Sequence, residues 1–162
     1  MRFLYSITLF LIGSLVFSSC AKKETFSIIP AITFKSLTSN NLDSAIMEVN
    51  FTDGDGDIGY LGNLAEAQPD FFIEYLRDSA GAFVPMLIDN GSGFVPVMNT
   101  QKIPDVTPAG KDKSLTGTIR VNMENWTQGL PIAGDTLEFN VWIFDRAGHK
   151  SNVITTPEVI VP

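Results

Sequence analysis

The stretch SLTGTIRVNM, Ser114–Met123, alternates apolar and polar side chains with a period of two residues. This period is typical of a β-strand with one buried face and one face in water. The positions expected to face a core are Leu115, Ile119, Val121 and Met123. We therefore predict a strand here, packed on one side against the rest of the protein.

The same alternation recurs outward from this stretch in both directions. TLEFNVWIFD, 136–145, repeats it, and weaker versions are AITFKSL, AIMEVNF, FFIEYLR, FVPMLI and KSNVITT. Pro85 in FVPMLI cannot donate to a ladder, so we expect that strand at a sheet edge. Tight turns are predicted at DSAG, 78–81, and RAGHK, 146–150. About seven strands at this spacing, with no convincing helix, predict an antiparallel β-sandwich.

The first twenty residues, MRFLYSITLFLIGSLVFSSC, have the three parts of a secretory signal: a basic start, an apolar run and small residues at the end. The apolar run is too short for a membrane-spanning helix, which needs about 20 apolar residues. The ending VFSSC resembles a bacterial lipobox, although Phe17 stands where an aliphatic residue is usual. The resemblance implies a lipoprotein signal peptide at 1–19, a lipidated Cys20 with a tether to residue 27, and one domain at 28–162. The alternative is an ordinary secretory signal with an incidental cysteine.

Charge and cysteine content narrow the classes of protein. The chain has one cysteine, so no disulfide can form within it and the domain must be stabilised by its core. Without residues 1–19 it carries 10 basic and 18 acidic residues, a net charge of −8. Nucleic acids and anionic membrane surfaces attract positive charge, so we expect neither as a partner.

Two segments together carry a resemblance to a known group. DGDGDIG, 53–59, follows the second predicted strand, and GDTLEFNVWIFDRAGHKSN, 134–152, covers the last two. Their combination resembles small Bacteroidetes lipoproteins with one immunoglobulin-like domain. The turn DRAGHKS is similar to that of bacterial immunoglobulin-like modules, with His149 where asparagine is commoner. The resemblance implies an all-β, immunoglobulin-like antiparallel sandwich of about seven strands, anchored by lipid in the cell envelope, at the outer membrane.

The acidic loop is the clearest candidate site. Asp53, Asp55 and Asp57 alternate with glycines, and such carboxylates repel one another unless a cation lies between them. Calcium takes six to eight oxygen ligands in flexible geometry, which a glycine-rich loop can provide. In an immunoglobulin-like sandwich this loop lies at the same end as the turn between the last two strands. Asp145 is therefore the expected distant ligand.

Other features of the loop leave an alternative open. Asp70 is a second candidate ligand and Glu66 a weaker one. The loop is not an EF-hand, because Ile58 and Leu64 stand where that motif has glycine and a bidentate glutamate. Aspartate and glycine also form polar turns without any metal. The long connection from 52 to 70 favours a functional role over a plain turn.

Aromatic residues suggest a second function. Trp142 and Phe144 fall on the polar face of their predicted strand, where exposed rings would bind a glycan or a protein partner. The alternative is that another segment covers them. Trp126 is expected to plug one end of the sandwich.

No arrangement of residues indicates an enzyme. His149 is the sole histidine, and no serine–histidine–acid pattern is identifiable. The sequence thus predicts a lipid-anchored envelope protein with a binding or structural role and a Ca²⁺-stiffened loop. A carbohydrate-binding accessory module is the first alternative, and a small hydrolase is the second.

The resemblance also implies a modification. Secreted Bacteroidetes proteins carry O-glycans on serine or threonine that follows aspartate and precedes a small or apolar residue. Three positions in this chain match: Ser44, Ser79 and Thr136.

Overall fold

A computed structural model describes residues 25–39, 44–124, 126–127 and 133–162. The predicted signal peptide, Cys20 and most of the tether lie outside these residues. The described part forms strands β1 (Ala31–Ser39), β2 (Ser44–Asp53), β3 (Phe71–Asp78), β4 (Phe83–Pro85), β5 (Leu87–Asp89), β6 (Phe94–Pro96), β7 (Met98–Gln101), β8 (Leu115–Glu124), β9 (Thr136–Ile143), β10 (Ile154–Thr155) and β11 (Val159–Ile160). Within it no helix is long and apolar enough to cross a membrane.

The strands form an all-β sandwich. One sheet has the order β1-β2-β8, and the facing sheet has the order β10-β9-β3-β4, with β11 also on β9 and β7 also on β3. Every pairing between these strands is antiparallel. The long segment 102–114 crosses from one sheet to the other, between β7 and β8. The predicted all-β antiparallel sandwich is thus confirmed.

The core lies between the two sheets and follows from the alternation along the strands. In β2 the buried residues are Ala45, Met47, Val49 and Phe51, and in β9 they are Leu137, Phe139, Val141 and Ile143. They belong to one apolar cluster with β3, the end of β8 and Trp126. Trp126 is fully buried, with its ring 6.3 Å from that of Phe139. The described residues therefore share one core, as the strands of a single domain do.

The structure has more strands than predicted. FVPMLI divides at Met86, because β4 stays on the edge of β3 while β5 leaves the sheet and pairs with β6. The β5–β6 hairpin is an arm outside both main sheets, and its residue Phe94 is 74% exposed. β6, β7 and β11 are each two to four residues long, too short to show a period. Pro85 does lie at a sheet edge, as predicted.

Two turns take the predicted form. At residues 78–81 the Asp78 carboxylate accepts a hydrogen bond from the Gly81 amide, and the chain reverses from β3 into β4. After β9 the turn at 145–149 reverses the chain again, and the Asp145 carbonyl accepts from the Gly148 amide.

Candidate metal centre and the neighbouring pocket

Strand alternation places two aspartates in the interior at one end of the sandwich. Asp53 continues the inward face of β2 one step beyond Phe51, and its residue is fully buried. Asp145 continues the inward face of β9 one step beyond Ile143, and its side chain is 0% exposed. In both places a carboxylate stands where the apolar pattern would place another core residue.

Three carboxylates converge in the loop after β2. One oxygen from each of Asp53, Asp55 and Asp57 lies within 4.8 Å of the others. The loop folds back on Asp53, whose Oδ2 accepts hydrogen bonds from the amides of Gly56 (2.7 Å) and Asp57 (3.1 Å). Gly56 has φ of +69°, and a Cβ there would collide with a carbonyl oxygen, so glycine is required.

These carboxylates are incompletely satisfied. Oδ1 of Asp53 and Oδ1 of Asp57 are buried and have no hydrogen-bond partner. Among the described residues no lysine, arginine or histidine pairs with the three aspartates. Burial raises the pKa of Asp53 and of Asp57, and the neighbouring carboxylates raise both further. A buried charged oxygen without a partner is costly, and a cation is one way to offset that cost.

Asp145 lies beside this group and not within it. Its Oδ1 accepts from the His149 amide at 2.7 Å, and its Oδ2 lies 2.8 Å from His149 Nδ1. The loop and the turn nonetheless meet, because Asp57 accepts from the Arg146 amide through its carbonyl (3.1 Å) and from the Ala147 amide through Oδ2 (3.2 Å). Asp145 is close enough to contribute to the raised pKa of Asp57.

Arg146 joins three segments at this end of the sandwich. Its guanidinium donates to the carbonyls of Ile58 (3.2 Å) and Gly59 (2.6 Å) and to Oγ1 of Thr107 (2.8 Å). It also pairs with Asp105 at 3.4 Å. Sequence reasoning missed this role, because the partners are about 40 and 90 residues away along the chain. The sequence offered one indication of this role, which is that Arg146 directly follows the candidate ligand Asp145.

Asp70 and Glu66 lie beside a pocket and outside the group of three. Asp70 Oδ1 accepts from the Ile103 amide at 2.7 Å, and burial raises the pKa of Asp70 to about 6. Glu66 is exposed, and its carboxylate accepts from the Asn63 amide group at 3.4 Å. The pocket, of about 240 Å³, lies between the segment 59–70 and the residues that follow β9.

Trp142 of β9 and Phe144, which directly follows β9, are partly covered. The Trp142 ring stacks against Phe72 of β3, with centroids 5.6 Å apart and planes within 2°. Lys150, on the opposite side of β9 from β3, places its Nζ 4.2 Å from the centre of the same ring. Phe144 contacts Phe72 edge-on at 5.6 Å. Trp142 is therefore half-buried, with Phe72 and Lys150 as ring neighbours, and its role as a ligand surface stays a prediction.

The three expected glycosylation positions differ in exposure. Ser44 and Ser79 are exposed, and Ser79 lies at the tip of the β3–β4 hairpin. Thr136, the first residue of β9, is half-buried.

Comparison with protein-family models and with curated proteins found no match for this chain.

Proposed function

We propose that the protein is a lipid-anchored binding or structural module of the cell envelope, in which a calcium ion stiffens the loops at one end of the sandwich. The single observation that carries the cation site is the pair of buried, unpartnered oxygens on Asp53 and Asp57. A plain Asp–Gly turn normally keeps its carboxylate oxygens hydrogen-bonded or in water, and these two oxygens have neither. The anchor is supported by the signal-like N-terminus that ends in Cys20.

Calcium suits this arrangement better than magnesium. Three carboxylates on a glycine-rich loop offer oxygens in a flexible geometry, which calcium accepts, whereas magnesium demands a near-ideal octahedron and keeps more of its waters. Asp53, Asp55 and Asp57 would ligate directly. Asp145 would add negative charge at the site, while its hydrogen bonds to His149 hold it in place.

An ion would connect the two loops. Asp57 already accepts from the amide of Ala147 in the turn after β9. A cation on Asp57 would therefore restrain both the loop after β2 and this turn. The expected result is a stiffer end of the sandwich, with the loop surface pre-organised for a partner.

The test is thermal unfolding of residues 25–162 in EDTA and then in calcium or magnesium. At 100 times its dissociation constant, a ligand adds about 2.7 kcal/mol to the free energy of unfolding. We expect a rise with calcium, a smaller rise with magnesium, and no rise in Asp55→Asn. The matched control is Asp89→Asn, which changes an exposed aspartate on the β5–β6 arm and should keep the full response. An unchanged melting temperature of the wild type in calcium would reject the site.

The anchor has a separate test. Expression in a bacterium fed a radiolabelled fatty acid should label the wild-type chain and leave Cys20→Ser unlabelled. Label on the variant, or its absence from the wild type, would reject the lipid anchor while leaving the calcium site unaffected.

A further inference from the structure

The pocket beside the acidic loop has a lining that nothing in the calcium proposal uses. Its wall residues include Tyr60, Glu66, Gln68, Pro69, Asp70 and Phe144, and its volume is about 240 Å³. Pockets for drug-sized ligands are about 300–1,000 Å³, so this one fits a group the size of a side chain.

The pocket combines aromatic rings with carboxylates that lack a cation. Tyr60 and Phe144 are half-buried aromatic residues of the lining, and Asp70 and Glu66 bring negative charge to it. Neither carboxylate has an ion pair within 4.0 Å among the described residues. Burial raises the pKa of Asp70 to about 6, which still leaves it mostly ionised at pH 7.

The other charged groups at the pocket are already engaged. The Arg146 guanidinium donates to the carbonyls of Ile58 and Gly59 and to Thr107, so its hydrogen bonds hold the loops. The carboxylate of Asp145 accepts from His149 through both oxygens. Asp70 and Glu66 also accept hydrogen bonds, from the Ile103 amide and the Asn63 side chain, but neither is paired with a cation among the described residues.

We infer that this pocket binds an organic ammonium group, carried by a free amine or by a lysine side chain of a partner protein. An ammonium over an aromatic face is attracted by the ring, and a nearby carboxylate adds an ion pair. The neighbouring surface already contains the first of these contacts, because the Lys150 ammonium lies 4.2 Å from the centre of the Trp142 ring. The net charge of −7 also favours a cationic ligand.

The test is an NMR titration of residues 25–162 with n-butylammonium, and with n-butanol as a neutral probe of the same length. Run in EDTA, it does not depend on the calcium site. We expect saturable shifts at Tyr60 and Phe144 with the amine, at millimolar concentrations, and at least tenfold weaker binding of the alcohol. Equal binding of the two probes, or shifts that avoid this pocket, would overturn the inference.

Charge-neutral variants make the assignment specific. Asp70→Asn keeps an oxygen that can accept from the Ile103 amide and should weaken amine binding about five- to tenfold. Glu66→Gln, at an exposed position, should weaken it about two- to fourfold, in line with the smaller energy of exposed ion pairs. Glu158→Gln, at an exposed position near the C-terminus, is the matched control and should bind as the wild type does. Wild-type affinity in both pocket variants would also overturn the inference.

The affinities of a lysine peptide and of n-butylammonium show whether the ammonium comes from a partner protein or from a free amine. A short peptide with a single lysine that binds at least tenfold tighter than n-butylammonium identifies a protein side chain as the ligand. Equal affinities identify a free amine.

Discussion

Replacing Asp53 with asparagine should change stability in opposite directions with and without calcium. In EDTA the wild type holds Asp53 fully buried, with one oxygen unpartnered and two other carboxylates nearby. Asparagine keeps an oxygen to accept from Gly56 and Asp57, and it replaces the unpartnered oxygen with an amide that can donate. The variant should therefore be the more stable protein when calcium is absent.

The magnitude follows from the geometry of the three carboxylates. Two unit charges 4.8 Å apart, the largest separation within the group, repel by about 3.5 kcal/mol at an effective dielectric constant of 20. Asp55 is exposed, so solvent screens its share of the repulsion. We therefore expect Asp53→Asn to add about 1–2 kcal/mol in EDTA. For a domain of about 140 residues this raises the melting temperature by roughly 3–7 °C.

In calcium the wild type should be more stable than Asp53→Asn, the reverse of their order in EDTA. At 100 times the dissociation constant it adds about 2.7 kcal/mol to the wild type and nothing to a variant that cannot bind it. Differential scanning calorimetry of both proteins in EDTA and in calcium measures all four stabilities. An Asp53→Asn protein that is destabilised in EDTA would refute the electrostatic reasoning. A variant that keeps the full calcium response would refute the role of Asp53 as a ligand.

Three further variants test the surroundings of the site. The raised pKa of Asp70, about 6 against an ordinary 3.8, means that the folded state binds its proton more tightly than the unfolded state. Stability from this group is therefore present below about pH 4 and is lost as pH rises through 6, and partial exposure reduces the loss to about 1–2 kcal/mol. Urea unfolding from pH 4 to 8 should show Asp70→Asn more stable than the wild type by that amount at pH 7 and equal at pH 4; parallel curves would contradict this. Arg146→Met should lower the free energy of unfolding by about 2 kcal/mol in the same assay at pH 7, because it leaves the loop carbonyls without a donor. The control Arg77→Met removes an exposed 3.6 Å ion pair and should lower it by less than about 1 kcal/mol. Equal losses in the two variants would contradict the special role of Arg146. Gly59→Ala places a Cβ at φ of +80° and in overlap with a neighbouring carbonyl, so it should lower the free energy of unfolding by about 3 kcal/mol or more. The control Gly110→Ala has φ of +111° but open space around it, and should lower it by about 1 kcal/mol. Equal losses would contradict the close packing at Gly59.

Much of the fold was predictable because the long strands have one buried face. β2, β8 and β9 show the two-residue period clearly, and their buried residues are those the alternation assigns to the core. β6 and β11 could not be found in this way, because strands of two or three residues show no period. The separate β5–β6 arm depends on where the chain leaves the sheet, and no local pattern marks that point.

The candidate site was predictable in part. The grouping of Asp53, Asp55 and Asp57 follows from their spacing along one loop, and the loop was expected to meet the turn after β9 because of the fold. The burial of Asp53 could also be predicted from the sequence, because Asp53 continues the two-residue period of the buried face of β2. The engagement of Asp145 by His149 and the stacking of Phe72 on Trp142 depend on side-chain geometry, which the sequence pattern does not contain.

The closeness of the N-terminal segment to Gly54 has a consequence for where this end of the sandwich points. A Cβ at Gly54 would collide with the backbone of Phe26 and Ser27, so the start of the domain lies directly against the acidic loop. Five residues lie between Cys20 and Phe26, and an extended chain covers at most about 3.6 Å for each of the six residue-to-residue steps. With Cys20 lipidated as proposed, Phe26, which contacts the acidic loop at Gly54, would lie within roughly 22 Å of the lipid anchor. A partner that binds this end of the sandwich would then meet it close to the membrane surface.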